Sequence, residues 1–176
     1  PCQPLFLPVS SNPNSYFSTC EEDDGVKLPD EEHKPRLLHY VVATSEDVKE
    51  VVSRLEVCPA VVHERAPNGD LPLHCACLNS GPVARAIMLA VIKAGPELVG
   101  ARGREDALPL HISCANTPDV NCVKDLIAMY PGAAVMKTRR GDLPVHHAAL
   151  NQTPAALEVL KYTIIPNPFG VRAKGT

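Results

Sequence analysis

The nine residues Gly141-Asp142-Leu143-Pro144-Val145-His146-His147-Ala148-Ala149 recur three times upstream with small changes. The copies begin Gly69-Asp70-Leu71-Pro72-Leu73-His74, Asp106-Ala107-Leu108-Pro109-Leu110-His111 and, more weakly, Lys34-Pro35-Arg36-Leu37-Leu38-His39. The four histidines stand 35, 37 and 35 residues apart. Self-similarity at a period of this size marks a stacked array, in which no single unit can bury its apolar face alone.

The motif has a physical logic. Pro lacks a backbone N–H and has a fixed φ, which suits the first turn of a helix, where that N–H has no partner anyway. Pro72, Pro109 and Pro144 therefore predict helix starts, with Leu73, Leu110 and Val145 pointing into the core. The motif histidines, His39, His74, His111 and His146, each offer one donor and one acceptor nitrogen, suited to tying one repeat's backbone to its neighbour's loop. Asp70 and Asp142 precede two of these starts and are candidate caps. Asn79, Asn116 and Asn151 each follow their histidine by five residues. That register predicts a left-handed, helix-ending cap, since Asn tolerates this conformation.

These residues resemble the ankyrin repeat, whose first helix opens Gly-x-Thr-Pro-Leu-His-x-Ala-Ala. Leu71, Leu108 and Leu143 replace the Thr, giving a Leu-Pro-Leu-His variant without the hydroxyl that helps hold the histidine in the family. The resemblance spans residues 35–165. It implies an all-α, helix-turn-helix solenoid of about four repeats. It also implies non-catalytic protein–protein recognition, through concave helices and through inter-repeat loops that extend as fingers. Leu78, Ala115 and Leu150 would lie on the concave helices.

A second helix is expected in each repeat. Ser45 is the expected N-cap of the first, which carries Val48, Val51, Val52 and Leu55 at helical spacing. Pro82, Pro118 and Pro154 are expected to open the other three. Core candidates there are Ala86, Ile87, Leu89, Ala90 and Ile92, then Val120, Val123, Leu126, Ile127 and Met129, then Leu157, Val159, Leu160 and Ile164. Pro59, Gly95-Pro96, Pro131-Gly132 and Pro166 with Pro168 are expected to end these helices. Phe169 and Val171 are expected to cover the last repeat.

Residues 1–34 hold seven acids and two bases, whereas the whole chain has a net charge of −3. They read as an extended acidic, Pro-rich arm, followed by the repeat domain at 35–165 and a tail at 166–176. Seven cysteines spread over the chain do not resemble a secreted disulfide framework, so a reducing intracellular compartment is expected. Cys77 and Cys114 share one register and read as small buried residues. No apolar run is long enough to cross a bilayer, so no direct membrane insertion is expected.

His74, Cys75, Cys77, His111, Cys114, His146 and His147 have the chemistry of zinc ligands, yet the repeat period already accounts for their spacing. Neither metal nor cofactor is expected, and no phosphate loop, dinucleotide fingerprint or nucleophile elbow is present. The alternatives are a fragment of a longer scaffold, or a small His/Cys metal protein or enzyme. The loops at 63–68, 100–105 and 136–140 carry Arg102, Arg104, Lys137, Arg139 and Arg140. Loops of successive repeats align in space, so these bases predict one basic edge that meets an acidic protein partner. A pI near 6.2 with few aromatics argues against nucleic acid.

Overall fold

The computed structural model describes residues 34–164. The expectations for residues 1–33 of the arm and for residues 165–176, including Pro166, Pro168, Phe169 and Val171, lie outside the described residues, and Lys34, the arm's last residue, opens the first helix. Among the described residues the regular structure is entirely helical. The α-helices are α1 (Lys34–Thr44), α2 (Val48–Val57), α3 (Pro72–Ala76), α4 (Ala84–Ala94), α5 (Pro109–Asn116), α6 (Val120–Met129), α7 (Pro144–Ala148) and α8 (Ala156–Ile164). The first helix of each repeat contacts the first helix of the next, in the order α1, α3, α5, α7. The second helices follow one another in the same way, as α2, α4, α6, α8.

Pro72, Pro109 and Pro144 occupy the first turns of α3, α5 and α7, as their chemistry requires. The residue before each Pro is an extended Leu, and the backbone N–H groups of Leu71, Leu108 and Leu143 donate to Nδ1 of the histidine three residues on, at 3.2, 3.1 and 3.1 Å. The histidine therefore caps its own helix. Asp70 and Asp142, the expected caps, do not. Leu73, Leu110 and Val145 are buried, with Leu110 only 1% exposed.

The second helices begin differently from expectation. Asp47, not Ser45, is the N-cap of α2, its carboxylate accepting from Lys49 N at 2.8 Å. Ser45 Oγ instead accepts from Asp47 N at 3.0 Å and holds that cap in place. Asp119 caps α6 in the same way, accepting from Asn121 N at 2.9 Å while Thr117 Oγ1 accepts from Asp119 N at 3.1 Å. Pro82, Pro118 and Pro154 sit ahead of helices that start at Ala84, Val120 and Ala156. Pro59, Pro96 and Pro131 do more than stop a helix. Each opens a 3-10 turn, Pro59–His63, Pro96–Gly100 and Pro131–Val135, that returns the chain toward the next loop.

The core runs along the whole array, through Leu38, Val51, Leu73, Ile87, Leu110 and Leu126 to Val159. Three core candidates face solvent: Ala86, Met129 and Leu157, the last 63% exposed. Apolar residues recur more often than a single buried stripe needs, so periodicity alone assigned too many of them to the inside.

None of the three asparagines is left-handed, because the only non-glycine residues at positive φ among the described residues are Glu105 and Asp106. Asn79 Nδ2 reaches back to the preceding repeat, donating to Val42 O at 3.1 Å and Ser45 O at 3.0 Å. Its Oδ1 accepts from Gly81 N at 2.8 Å. Asn151 repeats this on Cys114 O at 2.9 Å and Thr117 O at 3.2 Å, with Oδ1 accepting from Thr153 N at 2.8 Å. These asparagines satisfy the orphan carbonyls at the end of a neighbour's helix rather than of their own. Asn116 does not follow them. It lies within α5, and its Nδ2 donates to Ile112 O at 2.8 Å, one turn back in the same helix.

Candidate interaction edge on the inter-repeat loops

Each inter-repeat loop closes on itself by backbone hydrogen bonds in one pattern. Ala66 N donates to Asp70 O, Gly103 N to Ala107 O and Thr138 N to Asp142 O, at 2.8, 2.8 and 2.9 Å. The tight reversal needs positive φ at its last corner. Gly69 and Gly141 supply it at φ 89° and 87°, whereas the middle loop uses Asp106 at φ 57° beside Glu105 at φ 54°.

The loops are then joined to one another. Three of the motif histidines, His39, His74 and His111, place Nε2 on the loop beyond them. His74 Nε2 lies 3.2 Å from Ala107 O, His111 Nε2 3.2 Å from Met136 O, and His39 Nε2 3.3 Å from Asp70 O. In His74 and His111 Nδ1 already accepts a backbone N–H, so Nε2 carries the proton and donates. Both imidazoles are held neutral. Burial is the main cause for each, and it lowers the pKa of His74 below the usual histidine value. For His111 burial is helped by the neighbouring His147 ring, edge-to-face at 5.2 Å between centroids, and its pKa falls to about 4.

An arginine ladder, which sequence reasoning missed, reinforces these bonds. Arg65 Nη1 donates to Gly69 O in its own loop and to Arg102 O in the next, at 2.6 and 2.7 Å. Arg102 Nη1 does the same to Asp106 O and Lys137 O, at 3.1 and 3.2 Å. Asp70 is buried, and its Oδ1 accepts from Arg104 N at 2.8 Å while Oδ2 accepts from Asn68 Nδ2 at 3.1 Å. Its carboxylate thus crosses to the neighbouring loop. The signal for the ladder was present in the shared register of Arg65, Arg102 and Lys137 four residues before Gly69, Asp106 and Gly141.

The five bases expected to form one edge consequently divide. Arg102 is occupied by backbone carbonyls and is withdrawn from partner contact. Arg140 Nε faces Glu105 Oε2 at 3.8 Å, so part of its charge is met within the chain. Arg104, Lys137 and Arg139 are exposed, and their side chains make no polar contact with the described residues. The loop scaffold fixes the backbone beneath them through Arg104 N on Asp70 and through Arg139 N, which donates to Glu105 O at 2.8 Å. Of the concave-face candidates, Leu78 and Ala115 are half-buried and Leu150 is 51% exposed.

Some of the metal-type residues are neighbours, His111 with His147 and Cys77 with Cys114. Among the described residues no three His, Cys, Asp or Glu side chains group as a metal-holding set. Burial pushes the thiols of Cys75, Cys77 and Cys114 well above the ordinary range, with the Asp70 charge adding to the effect at Cys75. A thiol so placed resists forming the thiolate that nucleophilic attack or metal binding requires. No helix among the described residues is long and apolar enough to cross a membrane. Neither a family model nor a curated protein matches the chain.

Proposed function

We propose that residues 34–164 form an ankyrin-like solenoid of four repeats that acts as a non-catalytic protein–protein interaction module. It serves as an adaptor or as a structural subunit of a larger assembly. The partner is a protein with an acidic surface, met by Arg104, Lys137 and Arg139.

The observation that carries this reading is the loop scaffold itself. Successive loops are bonded to one another through His74, Arg65, Arg102 and Asp70, so the three exposed bases are held in fixed relation without being consumed. A preorganised row of charges lowers the ordering cost of binding. It steers an acidic partner and speeds association, with a modest gain from each exposed pair. A net charge of −3 over the chain favours a protein partner over nucleic acid. The free thiols of Cys58, Cys75, Cys77, Cys114 and Cys122 suit a reducing, intracellular compartment.

The test combines Arg104→Glu, Lys137→Glu and Arg139→Glu in one variant and compares its capture of proteins from native lysate with that of the wild type, at low and high salt. Loss of salt-sensitive captured species is expected. Unchanged capture with unchanged salt dependence would reject the basic edge and move attention to the face around Leu78, Ala115 and Leu150.

A further inference from the structure

The four repeats are of two kinds, and they alternate. Repeats one and three turn into their second helix through Ser45-x-Asp47 and Thr117-x-Asp119, with the same reciprocal bonds and nearly the same backbone angles at the capping aspartate. Repeats two and four turn through Asn79-x-x-Pro82 and Asn151-x-x-Pro154, with the Asn carbonyl accepting from the N–H two residues on. Like repeats are 72 residues apart, His39 to His111 and His74 to His146.

The junctions alternate too. Asn79 clamps repeat two onto repeat one, and Asn151 clamps repeat four onto repeat three. Between repeats two and three no such clamp exists, because Asn116 is turned into its own helix. There α3 and α5 meet over fewer residues than α1 and α3 or α5 and α7, and α4 meets α6 over fewer than α2 meets α4. At the loop end, by contrast, this junction is fully stitched by Arg65, His74 and Asp70. At the opposite end, among the described residues, the polar link between α4 and α6 is Arg85 with Asp125, at 2.7 and 3.2 Å, on an exposed surface.

We propose that the array consists of two clamped pairs, residues 34–101 and 107–164, and that the junction between them is a hinge that pivots on the loop row. Opening breaks the Arg85–Asp125 pair and parts α3 from α5. The loop bonds hold, so the exposed bases stay together while the two concave halves change their angle. The hinge lets the concave face fit partners of different curvature without unfolding a repeat.

The thiols report on it. Cys77, at the end of α3, and Cys114 and Cys122, in α5 and α6, are buried neighbours across this junction. Site-resolved labelling of the native full chain with N-ethylmaleimide measures their transient exposure. Asp125→Asn should speed labelling of Cys77 about two- to five-fold, the effect of losing one exposed ion pair. Raising the salt should speed it in the wild type and not in the variant. Asn151→Ala loosens the other kind of junction and should leave the Cys77 rate within about two-fold, although it lowers overall stability far more. The hinge is refuted by an Asp125→Asn rate equal to wild type, or by Cys77 labelling that rises more in Asn151→Ala than in Asp125→Asn, since labelling would then track global unfolding.

Discussion

Asn151→Ala and Asn116→Ala remove chemically identical side chains from the same sequence register, and the structure assigns them different costs. Asn151 is 8% exposed and makes three neutral hydrogen bonds, two to the carbonyls of Cys114 and Thr117 and one from Thr153 N. Thr117 O keeps a second donor, Thr153 Oγ1 at 2.8 Å, whereas no other donor reaches Cys114 O from a neighbouring repeat. At about 1 kcal/mol net per bond, plus the desolvation of one buried carbonyl, the loss is about 2–4 kcal/mol. Asn116 loses a single bond to Ile112 O within its own helix, and Ala has the better helix propensity by roughly 0.5 kcal/mol. Its net cost should stay within about 0.5 kcal/mol. Urea unfolding followed by far-UV circular dichroism measures both. For a chain of this size the melting temperature of Asn151→Ala should fall by about 4–16 °C, with that of Asn116→Ala nearly unchanged. Equal losses in the two variants would refute the claim that only one of them bridges repeats.

Two further outcomes follow from the loop scaffold. His74, His111 and His147 all have folded-state pKa values below the ordinary histidine value, so folding favours the neutral ring. Their stabilisation is complete above pH ~6.5 and declines as pH falls toward the folded value, which is about 4 for His111; His111 alone should withdraw about 2 kcal/mol by pH 5. Urea midpoints that stay level from pH 7 to pH 5 would contradict neutral, bonded imidazoles. Gly103→Ala should cost about 1–3 kcal/mol. A Cβ at Gly103 would collide with Asp70 Oδ1 and lie 2.7 Å from His74 Nε2, both rigidly bonded, although the φ of −104° is open to any residue. A thermal shift equal to that of an exposed surface substitution such as Lys124→Ala would show that the loop relaxes around it.

Much of this was legible because a few residue types have few options. Pro at the first helical turn, a histidine with two unlike nitrogens and a buried Leu or Val after each Pro located α3, α5 and α7. The errors arose where one residue type has several partners within reach. Asn at a helix end was assigned to its own backbone, but Asn79 and Asn151 found the neighbouring repeat's carbonyls. Asp70 was assigned to its own helix, but its carboxylate accepts from Arg104 N in the next loop, while Leu71 N is held by His74 Nδ1. Arg102 was counted as a surface charge because its register with Arg65 was not read as a sign that the guanidinium is spent on carbonyls 4 and 35 residues away. The alternation of 35 and 37 in the histidine spacing already recorded the two kinds of repeat, yet a single period absorbed it.

The alternation also constrains how such a chain changes its length over generations. A duplication of one repeat would set two Asn-x-x-Pro units side by side, or two Ser/Thr-x-Asp units, and one of the resulting neighbours would lack its clamp. A duplication of 72 residues reproduces both junctions intact. The smallest segment that carries both kinds of junction is therefore the pair of repeats, not the single repeat.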